Sequence, residues 1–264
     1  MSEVTDAIIL AAGRGSRLGE LSASSPKCLT VIAGKSILEW SALSLKQAGI
    51  ENIHIVSGYQ TEKVRAEAAA LNINEVNNPD WQSTDMVYSL MLAVKHLKLE
   101  KFVVVYGDIL FHPQHVINLI KSTNDIAMSY DCDWLNLWKL RFEQPMADAE
   151  TFKIKNGKLC EIGMKPNALA EIQGQFMGLM LFRAEGVIKI KQLVEQIGKL
   201  NKKIQLTQLL QQLIQKKQPI EIIAVQGRWC EIDTETDLHA YNQKLNTRAE
   251  WSHDWRYPVI SSDT

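Results

Sequence analysis

The chain has 264 residues, 46% of them hydrophobic, enough for one large α/β domain with a full core. Its 29 lysines and arginines are balanced by 30 aspartates and glutamates, and the resulting net charge of −1 leaves no basic surplus to hold nucleic acid by neutralising phosphates. No apolar run reaches the roughly eighteen residues of a spanning helix, so no membrane insertion is expected.

In chain order, residues 7–11 read as a buried strand that runs into Gly13-Arg14-Gly15-Ser16-Arg17. Ser36-Ile37-Leu38-Glu39 has the spacing of a capping box and opens a helix that Gly49 stops. A strand over 52–57, a helix from Thr61, a short strand over 74–76 and a helix over 86–96 follow. Residues 102–106 (Phe-Val-Val-Val-Tyr) are continuously apolar, as a parallel strand covered on both faces requires. A helix over 112–121 comes next. Repeated β-α-β of this kind predicts an α/β fold: a three-layer, doubly wound, mostly parallel sheet.

The pattern changes from about Asp131. Residues 152–155 and 158–162 flank Asn156-Gly157 and read as a hairpin with a type I′ turn. Another strand over 176–182, helices over 185–196 and 206–216, and a last strand over 220–225 complete a small β-rich elaboration. No linker and no internal repeat divides the chain. One domain is expected over 1–245, with halves of about 1–130 and 131–245 and a polar tail over 246–264. The tail carries Trp251 and Trp255, and packing on a neighbour and fraying are both open to it. Cys28, Cys132, Cys160 and Cys230 are scattered without a C-x-x-C, which argues against zinc and a disulfide framework. With an acidic rather than basic start (Met1 to Asp6), a cytoplasmic location is expected.

The loop after the first strand carries the most information. Two glycines let backbone N–H groups close on an anion, Arg17 offers a planar fork of donors, and Lys27 adds a compact cation. The set suits a nucleoside triphosphate, although a tight strand-to-helix turn with no ligand needs the same glycines. A P-loop is excluded because no lysine follows Gly19, and a dinucleotide fingerprint because Leu18 stands where its third glycine would be. Gly107-Asp108 ends the third strong strand, and Glu231-Ile232-Asp233 follows the last one. Carboxylates at strand ends suit Mg²⁺, which takes oxygen ligands and bridges nucleotide phosphates. Helix capping is the competing reading for both aspartates. Asp131, Asp133 and Trp134, with Trp138, offer acids and indoles to a cationic group, or else the indoles pack at helical spacing. The histidines show no metal-ligand spacing, and His112 and His115 read as structural.

The stretch L-A-A-G-x-G-S-R-L with the later Pro26-Lys27 resembles the nucleotidyltransferases that activate phosphorylated small molecules with release of pyrophosphate. Asn77-Asn78-Pro79 and Ser83-Thr84-Asp85-Met86-Val87-Tyr88-Ser89-Leu90 resemble the choline-phosphate cytidylyltransferase branch, with Asp85 where asparagine is frequent. The resemblance implies a Rossmann-like nucleotidyltransferase fold, with Lys27 on the α-phosphate, Arg17 on the leaving pyrophosphate, and Asp108 and Asp233 on Mg²⁺. It implies a nucleotide site formed by Leu10, Ala11, Ala12, Gly13, Arg14, Gly15, Ser16 and Gly107, with Tyr59, Gln60, Asn78, Thr84 and Ser89. For the acceptor it implies Asp85, Lys165 (in Met164-Lys165-Pro166), Gln175 and Gly178, to which the residue reading adds Asp131, Asp133 and Trp134. The implied partners are CTP and a small phosphorylated alcohol or phosphonate, choline phosphate or 2-aminoethylphosphonate in type; a homodimer is also compatible. The attacking oxygen is ionised at pH 7, so no nucleophilic side chain or general base is called for. Two alternatives stand beside this reading: a sugar-1-phosphate nucleotidyltransferase using UTP, dTTP or GTP, and a non-catalytic nucleotide-binding regulator.

Overall fold

The computed structural model describes residues 4–197, 203–247 and 249–258. Residues 1–3, in the acidic start, and 259–264, in the tail, lie outside them. The chain opens with β1 (Asp6–Leu10), a short α1 (Gly19–Ser24), a tight pair β2 (Val31–Ile32) and β3 (Lys35–Ser36), and α2 (Ile37–Gln47). Two β-α units follow: β4 (Asn52–Ser57) with α3 (Thr61–Ala70), and β5 (Asn74–Asn77) with α4 (Met86–Leu97). Next come β6 (Phe102–Tyr106), β7 (Ile109–Phe111), α5 (Pro113–Ile120), β8 (Ile126–Asp131) and α6 (Trp134–Arg141). The hairpin is β9 (Phe152–Lys155) and β10 (Lys158–Ile162), followed by β11 (Gln175–Phe182), α7 (Ala184–Ile197) and α8 (Leu206–Gln215). β12 (Glu221–Val225), β13 (Trp229–Glu231) and α9 (Glu235–Asn246) end the regular structure.

Seven strands form the central sheet in the order β12-β8-β11-β6-β1-β4-β5. Only β11 runs antiparallel to its neighbours, β6 and β8; the remaining pairs are parallel. Alternate residues of the inner strands feed two cores. Ala7, Ile9, Val103, Val105, Leu179 and Leu181 pack into one, and Ile8, Leu10, Val104, Met180 and Phe182 into the other. That double burial is why these strands lack a polar face. No described helix is long and apolar enough to cross a membrane.

Local signals act much as read, with one difference. Ser36 Oγ accepts the Glu39 N–H at 3.0 Å, but Glu39 completes no capping box, because its carboxylate pairs with Lys35 at 2.6 Å. Asn156 and Gly157 both have positive φ, 52° and 71°, as a type I′ turn demands. β8 went unread in the sequence; its polar end hides a strand that sits between β12 and β11. The tail neither frays nor waits for a neighbour over 251–257. Trp255 is fully buried, edge-on to Trp40 at 6.2 Å and to Trp251 at 6.3 Å, and the Arg228 N–H donates to Ser252 O at 2.7 Å.

Candidate active site

The loop leaving β1 is tethered to both neighbouring strands. Ala11 N–H donates to Val56 O at 3.0 Å, Tyr59 N–H to Ala12 O at 3.0 Å, and Gly107 N–H to Leu10 O at 2.9 Å. Gly107 makes that last approach feasible, since a Cβ there would lie 2.7 Å from Leu10 O. Gly15 is left-handed (φ 66°), and a Cβ on it would meet Lys27 Cβ at 2.8 Å. Glycine at that position therefore lets the Lys27 stem lie across the loop.

Asp108 precedes β7 and Glu231 ends β13. These two strands pair antiparallel, and the Ile232 N–H donates to Asp108 O at 3.0 Å, which brings Asp108 and Asp233 together. Lys27 Nζ lies 2.6 Å from Asp108 Oδ2 and 2.5 Å from Asp233 Oδ1. Arg17 reaches Asp233 Oδ1 at 3.2 Å and Asp148 at 3.8 Å. Behind them Arg141 bridges Glu231, Asp233 and Asp237. Burial pulls the Lys27 ammonium down, but Asp108 and Asp233 outweigh it, so lysine stays charged far above its usual range. Burial pushes Asp233 up, but a hydrogen bond from Glu231 and the Lys27 charge leave it well below the usual carboxylate range. Glu231 goes the other way: burial, against the opposing charge of Arg141 and with Asp233 and Asp108 beside it, holds its carboxyl well above that range.

Asp108, Glu231 and Asp233 each offer an oxygen within 4.8 Å of the others, and the buried Asp108 Oδ1 has no hydrogen-bond partner among the described residues. An all-oxygen set with an unsatisfied buried acceptor fits a hard divalent cation.

Two cavities meet at this cluster. The first, about 220 Å³, is walled by Leu10, Ala11, Ala12, Gly13, Gly15, Arg17, Lys27, Thr84, Asp85, Ser89, Gly107, Asp108 and Asp233, with Cys28, Trp81 and Met86. The second, about 280 Å³, shares Arg17, Met86, Asp108 and Asp233 with the first and adds Asp148, Glu150, Gln175, Gln205, Thr207 and Glu231. Its apolar wall is Tyr106, Trp138, Phe152, Ile162 and Phe176. Burial first, then Asp148, raises the Glu150 carboxyl, and no described cation pairs with it.

Several expected residues stand elsewhere. Asn78 is fully buried behind the first cavity, where its amide donates to Thr84 Oγ1 and Ser89 Oγ, both at 3.0 Å. Arg14 lies over the Tyr59 ring at 5.6 Å, and Gln60 Nε2 donates to Ala23 O at 3.1 Å, so that ring and that amide turn to α1 rather than to the cavity. Ser16 is exposed at the loop's outer edge. Gly178, at φ 79°, sits where a Cβ would be 2.8 Å from the Tyr106 ring and so supports the second wall from behind. Lys165 is exposed and lines neither cavity.

Asp131, Asp133 and Trp134 line neither cavity. Asp131 is fully buried and occupied by the Gly227 and Asp133 N–H groups at 2.9 Å and by His253 at 3.0 Å. Asp133 accepts from Asn136 and Ser252 at 2.6 and 2.9 Å. Trp134 packs edge-on against Trp138 at 5.8 Å, which is the helical packing of the two indoles. Sequence reasoning missed Asp148, Glu150 and Arg141. The first two lie in irregular chain before β9, and nothing in the local pattern marks the third.

The profile of the MobA-like NTP transferase domain matches residues 7–135. The CTP:phosphoglutamine cytidylyltransferase of Campylobacter jejuni is 32% identical over 252 residues, covering 90% of this chain and 100% of that protein. The CMP-5'-(3-aminopropyl)phosphonate synthase of Streptomyces rubellomurinus is 40% identical over 111 residues, 40% of this chain and 18% of that one. Among solved structures, the CTP:phosphocholine cytidylyltransferase of Streptococcus pneumoniae superposes with a TM-score of 0.74 at 22% identity, over 93% of this chain and 100% of that one.

Proposed function

Because the chain belongs to the nucleotidyltransferase superfamily and is an enzyme of that class, we propose that it joins CMP from CTP to a small acceptor bearing a phosphate or phosphonate. One observation carries the proposal: Lys27 lines the cavity walled by the glycine loop and is held there by Asp108 and Asp233, the carboxylates that this cavity shares with a second one walled by acids and aromatic rings. The acceptor oxygen forms a bond to the α-phosphorus, the bond from that phosphorus to the bridging oxygen breaks, and pyrophosphate leaves. Both reactants are anionic, so the work is positioning and charge neutralisation. Loop amides cradle the phosphates, Lys27 meets the α-phosphate, and Arg17 meets the leaving pyrophosphate. Asp108 and Asp233, with Glu231 beside them, would hold Mg²⁺, which neutralises phosphate charge when bound.

We further propose an acceptor with an amino or quaternary ammonium group. Glu150 and Asp148 supply acidic groups, and Tyr106, Trp138, Phe152 and Phe176 supply an aromatic wall. The relatives are consistent with this, since one is named for an aminopropylphosphonate product. The test is pyrophosphate release from each of the four NTPs against choline phosphate, 2-aminoethylphosphonate, phosphoglutamine and several sugar 1-phosphates. CTP with an amine-bearing acceptor should turn over fastest. Preference for UTP, dTTP or GTP with a sugar 1-phosphate would replace the proposal with the sugar reading.

A further inference from the structure

Arg141 is the last residue of α6, and its side chain has no exposed surface. The guanidinium lies over the rings of Trp138 and Phe142, at 5.1 and 4.9 Å from their centroids. Its polar edge meets three carboxylates. Nε donates to Asp237 Oδ1 at 3.1 Å, and the two terminal nitrogens reach Asp233 Oδ2 at 3.1 Å and Glu231 at 3.5 Å. Asp237 is itself fixed, because its Oδ2 accepts the N–H groups of Asp233 and Thr234 at 2.8 and 3.0 Å.

The two oxygens of Asp233 therefore face different worlds. Oδ2 is held by Arg141 in the protein interior, while Oδ1 points to Lys27 and Arg17 in the cleft. Resting on the reading of Asp108, Glu231 and Asp233 as the metal-binding set, we infer that Arg141 is a positioning residue that pins Asp233 Oδ2 and so presents Oδ1 alone to the cation. Magnesium demands near-octahedral geometry from few protein oxygens, and a carboxylate free to rotate would offer both. A planar fork holds its donors at fixed angles and spans three carboxylates; an ammonium is a compact point charge whose donors rotate and fix no angle.

Arg141→Lys keeps the charge and loses the fork. Outer partners of metal ligands typically change metal affinity about 10–100-fold. The Mn²⁺ dissociation constant of Arg141→Lys, read from the EPR signal of free Mn²⁺ without nucleotide, should rise by that factor. The Mg²⁺ concentration for half-maximal turnover should rise in step, with much of kcat recovered at saturating Mg²⁺. Metal-free CTP affinity should stay as in the wild type. Asp233→Asn serves as the reference. If it has lost Mn²⁺ while Arg141→Lys binds as the wild type does, Arg141 is only structural and the inference is overturned. If Asp233→Asn itself binds Mn²⁺ normally, the metal reading has failed and takes the inference with it. Should Arg141→Lys not fold, Asp237→Asn removes one anchor of the fork and should weaken Mn²⁺ in the same direction; wild-type affinity there overturns the inference.

Discussion

Lys27 is the residue whose surroundings say most about its task. It is a buried, firmly charged ammonium held by two carboxylates at the mouth of the glycine loop. Removing one preorganised charge contact typically lowers turnover by about 10²–10³. Lys27→Ala should therefore lose about that factor in kcat with CTP saturating; turnover within about threefold of wild type would remove Lys27 from the mechanism. Glu150→Gln should raise the acceptor KM and leave the CTP KM unchanged, and equal shifts in both would mean that Glu150 does not face the acceptor. His115 gives a pH prediction. Burial lowers its imidazole to about 4, the Gly227 and Arg228 carbonyls and Asp131 only partly oppose, and the Arg228 charge adds a smaller push downward. An unfolded histidine titrates near 6.5, so the unfolded chain binds the extra proton first. This contribution is fully present above about pH 6.5 and is lost as pH falls toward about 4, on the order of 2–3 kcal/mol. His115→Gln should flatten the loss of urea stability between pH 7 and pH 4.5; an unchanged acid slope would put its origin elsewhere. At this scale, the grouping of the glycine loop, Lys27, Asp108 and Asp233 around one cavity was legible because one short motif and two strand ends carry them. Asp131 and Trp134 line neither cavity, because Asp131 is taken up by Gly227 and His253, far away in the chain, and Trp134 packs against Trp138.

At the scale of elements, the site depends on pairings that no local pattern announces. β7 and β13 are three residues each, too short to show alternation, yet their pairing joins Asp108 to Asp233. The long apolar strands and the Asn156-Gly157 hairpin were readable, because their chemistry is complete within a few residues. The tail was not, because Trp251 and Trp255 gain meaning only against Tyr241 and against Trp40, the latter more than two hundred residues away in the chain. Truncating a fully buried tryptophan typically costs about 3–5 kcal/mol. Trp255→Ala should lose that much in urea unfolding while the folded fraction keeps near-normal CTP affinity. Unaltered stability would show that the 251–257 segment only rests on the surface.

Across the whole molecule, one sheet with apolar cores on both faces sets the first cavity at the carboxyl ends of β1 and β6, where ligands of open α/β sheets bind. The β9–β10 hairpin and β11 close the second cavity beside it. We propose that the acceptor, held in the second cavity, attacks the α-phosphorus directly, with no protein nucleophile between. CTP made chiral at the α-phosphorus by sulfur substitution tests this most directly, with the product's configuration read after one turnover on the best acceptor. The account predicts inversion, the outcome of a single in-line displacement; retention, which requires a second displacement through a nucleotidylated enzyme, would contradict it.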